Sequence, residues 1–202
     1  MESGSRRLTS YRHDPAVSAS ISSNLVRTLL LDPDGTIWLG TRGGGLDRFD
    51  PHTATATHFR LESAAEGNAN EIHAIYRDSH GALWIGSNQG LARLDLESEA
   101  VTRFRHDAGD ASSLSDERVR AILEDSRGRL WVGTYGGGLN LFDKDAGSFR
   151  LFRHSATDPS TLAADRVTSL FEDEDARLWV GTSGGLSLYD QRGGFVRYNN
   201  DP

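Results

Sequence analysis

Two neighbouring side chains, Glu71 and His73, are the clearest candidates for acid–base chemistry in this sequence. A carboxylate beside an imidazole can move a proton when both groups face one substrate. No Ser-His-Asp arrangement is evident from the spacing, and the chain has no cysteine, which removes thiolate nucleophiles, disulfides and thiolate metal ligands. An enzyme is therefore one interpretation, with Glu71 and His73 as its acid–base pair.

Carboxylates and histidines also recur at equivalent places along the chain. The carboxylates stand three residues before a turn position, at Asp32, Asp78, Asp125 and Asp173. The histidines stand at His13, His106 and His154. Aspartates that open turns and bond to the backbone explain such copies better than catalysis or calcium binding does. Equivalent positions on separate units lie far apart, so we predict no metal site and no cofactor.

The repeat that positions these residues is marked by tryptophan. The four tryptophans are 46, 47 and 48 residues apart, at Trp38, Trp84, Trp131 and Trp179. Each begins the pattern W-x-G-[TS], which is followed by a glycine-rich turn, by Gly-Leu and by a large apolar residue with Asp behind it. Self-similarity at this period indicates a repeat architecture.

Each unit predicts four short strands. In the third unit they are expected at residues 118–125, 129–134, 139–143 and 148–153. Glycine-marked turns separate them, and four hairpin-linked strands every 45 to 48 residues are typical of a propeller blade. A helical solenoid would need amphipathic helices that the glycine-marked pattern interrupts, and a β-helix would need shorter rungs.

The expected fold is an all-β propeller, one domain over residues 1–202, with four consecutive four-stranded antiparallel blades. The blades are predicted at residues 24–62, 70–106, 117–154 and 165–200, preceded by an extra outer strand at residues 8–14. The extra strand follows from five aromatic markers of outer strands, at Tyr11, Phe59, Phe104, Phe152 and Tyr198. Only four sets of inner strands accompany these five markers. We therefore expect a fragment of a larger propeller, or half of an oligomeric ring in which two copies pair through open blade edges.

The most regular motifs predict structure rather than chemistry. We expect the tryptophans to pack between blades as core residues. The glycine runs at residues 43–45 and 136–138 are turns and not phosphate loops, because no Lys-Ser/Thr and no helix follow them. Ala176 replaces a turn glycine, so that turn must change type or accept strain of about 1 kcal/mol.

One end of the propeller collects residues that differ between units. It is the end where the loop before the first strand meets the turn between the second and third strands. Near the start of the inner strands stand Arg27, His73, Arg120 and Thr168. In the turns stand Arg42, Gln89, Tyr135 and Ser183. Variation on a fixed scaffold suits ligand readout, so these eight are the candidate ligand-binding residues, with solvated rim residues as the alternative.

Composition restricts the partners. A chain of 202 residues with a formal charge of −7 and a pI near 5.5 lacks the basic footprint that nucleic acid requires. No stretch approaches the roughly 20 apolar residues of a membrane-spanning helix, so this segment is not expected to contact a membrane.

The pattern D-x-x-G-x-[IL]-W-[LIV]-G-[TS]…G-L-x-x-[FLY]-D, carried by residues 32–50, 78–95, 125–143 and 173–190, resembles the two-component regulator propeller repeat. This resemblance implies a ligand-sensing propeller outside the cytoplasmic membrane, attached to a histidine kinase or a diguanylate cyclase. It further implies a non-catalytic, periplasmic segment that binds an unknown small molecule or saccharide and contacts the rest of the receptor propeller. A more distant similarity to streptogramin lyase keeps a propeller lyase as an alternative. A structural platform for protein docking is the other.

Overall fold

All the regular secondary structure of the described residues is β-strand, formed by short apolar runs that end at glycine-rich turns. The computed structural model describes residues 8–59, 61 and 70–198. The expected end of the first blade, most of the connection to the second and the last residues of the fourth lie outside the described residues. Within them, sixteen β-strands form four separate sheets.

Each sheet is antiparallel and keeps the order of the chain, so that each blade is a four-stranded meander. The first blade consists of β1 (Val26–Leu31), β2 (Ile37–Thr41), β3 (Leu46–Asp50) and β4 (Thr55–Phe59). The second consists of β5 (Ile72–Arg77), β6 (Leu83–Ser87), β7 (Gly90–Leu94) and β8 (Val101–Phe104). The third consists of β9 (Val119–Glu124), β10 (Leu130–Thr134), β11 (Leu139–Asp143) and β12 (Ser148–Phe152). The fourth consists of β13 (Val167–Glu172), β14 (Leu178–Thr182), β15 (Gly185–Tyr189) and β16 (Phe195–Tyr198).

In the first blade, Oδ1 of the recurring Asp32 accepts from Arg77. In the other three blades the recurring aspartate makes two kinds of hydrogen bond. As predicted, it bonds to the turn backbone: Asp125 Oδ1 accepts from the backbone N–H of Arg127 and of Arg129, at 3.1 and 3.0 Å. Its second oxygen accepts a hydrogen bond from the indole of Trp131 at 2.8 Å. The same carboxylate–indole bond recurs in the other three blades, at Asp32–Trp38, Asp78–Trp84 and Asp173–Trp179. A buried indole N–H needs an acceptor, so this pairing explains why Asp and Trp recur together.

The turn at Ala176 keeps the geometry of its glycine counterparts. Ala176 has φ 58°, and Gly128 in the third blade has φ 73°. Ala176 N–H donates to Asp173 O at 2.9 Å, as Gly128 N–H donates to Asp125 O at 2.8 Å. Of the two predicted outcomes, the turn therefore accepts left-handed strain rather than changing type.

The core lies between the blades. The innermost strands β1, β5, β9 and β13 contact one another in sequence. Trp38, Trp84 and Trp131 are 1%, 1% and 0% exposed, and each packs with apolar residues of the following blade. These three tryptophans thus fill the space between one blade and the next.

The glycine two residues after each tryptophan is required by the same contact. A Cβ on Gly40 would lie 2.7 Å from Ile72 Cγ2, and one on Gly86 would lie 2.5 Å from Val119 Cγ1. Gly133 meets Val167 of the fourth blade in the same way. The motif W-x-G thus encodes a wedge and the gap that lets the next blade approach.

The first and fourth blades each leave one apolar face open. On the first blade, Leu29 and Leu31 are 64% and 70% exposed. On the fourth, Phe171 and Tyr198 are 63% and 50% exposed, and Trp179 is only half-buried. The expectation that all four tryptophans are core is therefore not met by Trp179, since no further blade packs on it among the described residues.

The predicted outer strand at residues 8–14 does not form, because the sheet to which it would add is absent from the described residues. The segment nevertheless occupies the place of a preceding blade's outer strand. Tyr11 packs on Phe49 with ring centroids 4.7 Å apart, as Phe104 of the second blade packs on Phe142 of the third at 4.9 Å. Residues 8–14 therefore keep the aromatic contact of an outer strand without forming a strand.

The three recurring histidines hold the connections that enter the blades. Each Nδ1 lies 2.7 to 2.8 Å from a carbonyl oxygen eight residues ahead, in the pairs His13–Ile21, His106–Leu114 and His154–Leu162. Within the described residues, no group of three or more His, Asp or Glu side chains could hold a metal ion. The same part of the chain contains no helix long and apolar enough to cross a membrane.

Candidate functional site

The candidate ligand-binding residues lie at one end of the blades, where inner strands begin. The turns between second and third strands reach this end through backbone hydrogen bonds. Tyr135 N–H donates to Arg118 O at 2.8 Å, and Ser183 N–H donates to Arg166 O at 2.9 Å. We call this end the mouth, defined by Arg27, His73, Arg120 and Thr168 on the inner strands and by the turns that follow β2, β6, β10 and β14.

Backbone bonds between blades also meet at the mouth. Gly45 and Gly90 donate their N–H groups to Asn70 O and Glu117 O of the next blade, at 3.1 and 2.6 Å. Gly138 does the same to Asp165 O at 2.9 Å. These bonds tie the turns of the first three blades to the start of the next inner strand.

A register irregularity sets the direction of the four inner-strand residues. In the first blade Val26 pairs with Thr41 and Thr28 pairs with Gly40, so Arg27 has no partner across the strand pair. His73, Arg120 and Thr168 are skipped in the same way. A β-bulge turns a side chain away from the regular alternation, so each blade presents one bulged residue at the mouth.

Glu71 is the anchor of the first half of the mouth. Its carboxylate accepts from Arg27 NH2 at 2.8 Å and from Asn88 Nδ2 at 3.0 Å, and Arg42 Nε lies 3.5 Å away. His73 Nε2 lies 3.9 Å from Glu71 Oε1, beyond hydrogen-bonding distance. The carboxylate that an acid–base mechanism would use is thus committed to arginine and amide donors.

The second half of the mouth is centred on Tyr135. Arg118, Arg120 and Arg166 place their guanidinium carbons 4.6, 5.3 and 4.2 Å from the centre of its ring. Arg120 also donates to Asn88 Oδ1 at 2.8 Å. A continuous network therefore runs from Arg27 through the second blade to Arg166 at the start of the fourth.

A cavity of about 150 Å³ opens beside this network, lined by His73, Arg120, Tyr135, Arg166, Val167 and Thr168. His73 Nε2 is buried at its edge without a hydrogen-bond partner among the described residues. Burial, and then the positive charge of Arg120, lowers the pKa of His73 below its ordinary value. The imidazole is therefore neutral at neutral pH.

The structure divides the eight candidates into groups. His73, Arg120, Tyr135 and Thr168 converge on the cavity, whereas Arg27 and Arg42 surround Glu71. Gln89 and Ser183 lie at the mouth in their turns but do not line the cavity.

Sequence reasoning missed Arg118, Arg166 and Asn88 at the mouth. Arg118 and Arg166 occupy matching positions just before β9 and β13, and this repeat position could have signalled them. Asn88 has the same kind of signal, since it directly follows W-x-G-[TS] as Arg42, Tyr135 and Ser183 do. Its contacts with Glu71 and Arg120, from two different blades, have none.

Comparisons with known proteins agree with this architecture. Residues 20–43, 66–89, 113–136 and 161–184 match the two component regulator propeller family. Each matched segment runs from the connection before an inner strand to the turn after the second strand.

Two solved extracellular domains of hybrid two component systems from B. thetaiotaomicron share the fold. Both have a TM-score of 0.74, at 24% and 20% identity, and the alignments cover 90% and 98% of this chain. This chain spans about a quarter of each of those domains, 24%. Virginiamycin B lyase from Staphylococcus aureus is also similar, with a TM-score of 0.65, 17% identity and coverage of 88% of this chain and 56% of the lyase.

Among curated proteins, histidine kinase P4 of Formosa agariphila is 30% identical over 137 residues, which cover 45% of this chain and 10% of the kinase. The chain therefore carries four repeats of the two component regulator propeller family, one on each blade, each with its Asp–Trp bond and its turn at the mouth.

Proposed function

We propose that this chain is a ligand-sensing part of an extracytoplasmic receptor propeller, and that it binds a small molecule or saccharide at the mouth without transforming it. The observation that carries the proposal is the convergence of His73, Arg120, Tyr135 and Thr168 on one cavity. They come from three blades, and His73, Arg120 and Thr168 share one repeat position while differing in chemistry, which suits selective binding on a repeated scaffold.

The geometry favours binding over catalysis. Glu71 accepts from Arg27 and Asn88 and lies 3.9 Å from His73 Nε2, so the pair is not arranged for proton transfer. The likeness to virginiamycin B lyase is one of fold. A lyase is the second candidate function. If this chain is found to convert a substrate, loss of that activity in a His73→Ala variant would favour the lyase.

A direct test is thermal unfolding of the 202-residue chain in the presence of neutral and acidic mono- and disaccharides. A ligand that binds the folded chain raises the unfolding temperature, by an amount that grows with its concentration. We expect one or more saccharides to do so, and Tyr135→Ala to remove the effect. A shift that persists unchanged in Tyr135→Ala would place binding elsewhere and contradict the proposal.

The output half of the proposal needs the complete reading frame around this segment. We expect a membrane-spanning helix and a histidine kinase or diguanylate cyclase beyond it. Stop codons directly on both sides would contradict the receptor.

We further propose that additional blades of the same kind cover the two open faces. The front of each following blade already packs on the back of the one before it, so the exposed Leu29 and Leu31 face is complementary to the exposed Phe171 and Tyr198 face. Two copies of this chain can meet head to tail through the same faces. Light scattering decides between them: a dimer favours the paired ring, a dye-binding monomer favours missing blades, and a monomer that binds no hydrophobic dye contradicts both.

A further inference from the structure

The cavity at the mouth carries positive charge that the described residues neutralise only in part. Arg118 is paired with Asp116, at 2.7 and 3.0 Å. Arg120 and Arg166 have no carboxylate within 4.0 Å among the described residues. Glu71 and Asp116 attract Arg120 without forming a salt bridge with it, so its charge is compensated only in part. In a chain with a formal charge of −7, the two guanidinium groups on one small cavity form a local positive site.

The same groups are held in place before any ligand arrives. Tyr135 packs against both guanidinium groups, and Arg120 is further fixed by Asn88 Oδ1 at 2.8 Å. Cation–π contacts of this kind orient a guanidinium without consuming its charge. The entropy cost of ordering the two arginine side chains is thus largely met when the chain folds, before a ligand binds.

Unused hydrogen-bonding capacity points into the same place. His73 Nε2 is buried without a partner among the described residues, whereas the Thr168 hydroxyl, which also lines the cavity, already donates to Gly181 O at 3.1 Å. A buried donor without an acceptor is unfavourable, and an oxygen of a ligand would relieve it. Burial, and then the charge of Arg118, lowers the pKa of Arg120, which means that its charge is held at a cost that a nearby anion would offset.

From this geometry we infer that the cavity is a subsite for an anionic group of the ligand, a carboxylate or a sulfate ester, bound by Arg120 and Arg166 with His73 Nε2–H as a third donor. This inference rests on the proposed function and names the ligand class. A volume of about 150 Å³ is below the roughly 300–1,000 Å³ of a typical small-molecule pocket, so it holds the charged group while the remainder of the ligand extends along the mouth.

The test is calorimetric titration of the 202-residue chain with sodium glucuronate, sodium sulfate and glucose, with sodium chloride at matched ionic strength as the blank. We expect glucuronate and sulfate to bind, and glucose to give no measurable heat at the same concentrations. In proton NMR spectra, the imidazole signals of His73 should shift with the two oxyanions. Glucuronate binding without sulfate binding assigns the carboxylate, and the reverse assigns the sulfate ester.

Variants separate a subsite from general attraction. Arg166 is exposed, so Arg166→Ala should fold normally and weaken oxyanion binding about tenfold or more, as expected for loss of a charged hydrogen-bond donor. Arg120→Lys, which keeps the charge but loses the forked donors, should also weaken it. Arg192→Ala is the matched control, because it removes the same charge from an exposed turn at the opposite end of the fourth blade.

Three results would overturn the inference: heats no larger than those of chloride, glucose binding as well as glucuronate, or equal binding by Arg166→Ala and Arg192→Ala. A neutral saccharide that binds at Tyr135 would leave the proposed function standing while the anionic subsite fails. If oxyanions bind at the cavity but never change the output of the complete receptor, the anionic subsite stands while the proposed sensing function fails.

Discussion

The third and fourth blades carry the same pentapeptide, LWVGT, at Leu130–Thr134 and Leu178–Thr182. Both copies form the second strand of a meander, and both tryptophans donate to an aspartate six residues earlier, at 2.8 and 2.7 Å. In the third blade all five residues are buried, whereas in the fourth Trp179, Gly181 and Thr182 are only half-buried. The strand is encoded within each repeat, but burial of the wedge depends on the blade that follows.

Removing the wedge should show the largest difference between the two blades. Trp131→Ala should lower the free energy of unfolding by ~3–5 kcal/mol, because it empties a fully buried site. Trp179→Ala should cost less, since part of its surface already faces solvent. Urea unfolding followed by circular dichroism measures both losses. Equal losses would mean that a second copy covers the fourth blade in solution.

The glycine behind the wedge gives a smaller test of the same contrast. Gly86→Ala places a Cβ 2.5 Å from Val119 Cγ1 of the next blade, so we expect a loss of ~1–3 kcal/mol from overpacking. Gly181→Ala meets chiefly the Ser169 hydroxyl within its own blade, which can rotate away. Its cost should be ~1 kcal/mol or less in the same unfolding assay. A larger loss for Gly181→Ala would refute the idea that W-x-G serves the approach of a following blade.

A glycine in the first turn of the fourth blade should stabilise the protein, whereas the same turn of the third blade already has its glycine. Ala176 holds φ 58°, so Ala176→Gly should raise the free energy of unfolding by ~0.5–1 kcal/mol, after the greater flexibility of glycine in the unfolded chain is included. The reciprocal change Gly128→Ala, at φ 73°, should lower it by a similar amount. Thermal unfolding of the two variants checks this. A loss of stability in Ala176→Gly would show that the turn is not strained.

The third and fourth blades share the Asp–Trp hydrogen bond. In the fourth blade, where it is more exposed, it should affect stability at acidic pH. The hydrogen bond from the Trp179 indole, with help from Arg177, lowers the pKa of Asp173 to about 2 from 3.8. Since ionised Asp173 is favoured in the folded chain, its contribution is complete above pH 3.8 and is lost as the pH falls towards about 2. Asp173→Asn should therefore flatten the decline of stability across this window.

Asp175→Asn is the matched control for that experiment, because it removes a neighbouring exposed carboxylate that does not contact the indole. The measurement is the urea midpoint at a series of pH values from 5 to 2. An unchanged slope in Asp173→Asn would show that the indole bond does not hold the ionised carboxylate.

Much of the fold follows from the sequence because its signals are local. Trp131 and Gly128 mark a strand and a turn within a few residues of each other, and each is repeated, so four units support one assignment. The outer strand predicted around Tyr11 failed because strand formation needs a partner, and the partner is not among the described residues. The Asp–Trp bond was overlooked although its spacing is constant, since the turn role alone accounted for the aspartate.

The location of the mouth was predictable from the sequence, but the contacts among its side chains were predictable only in part. Matched positions such as His73 and Arg120 follow from strand direction and the repeat. Their environments do not, because Asn88 joins Glu71 of its own blade to Arg120 of the next. Neither contact leaves a mark in the local sequence.

By itself, the sequence determined the blades, their strands and turns, and the end of the blades at which variable residues gather, because each of these depends on residues close together in one repeat. Only the tertiary structure decided which tryptophans are wedges, which arginines surround Tyr135 and which carboxylates are neutralised. The physical reason is that burial and charge pairing arise between blades, from residues roughly one repeat apart.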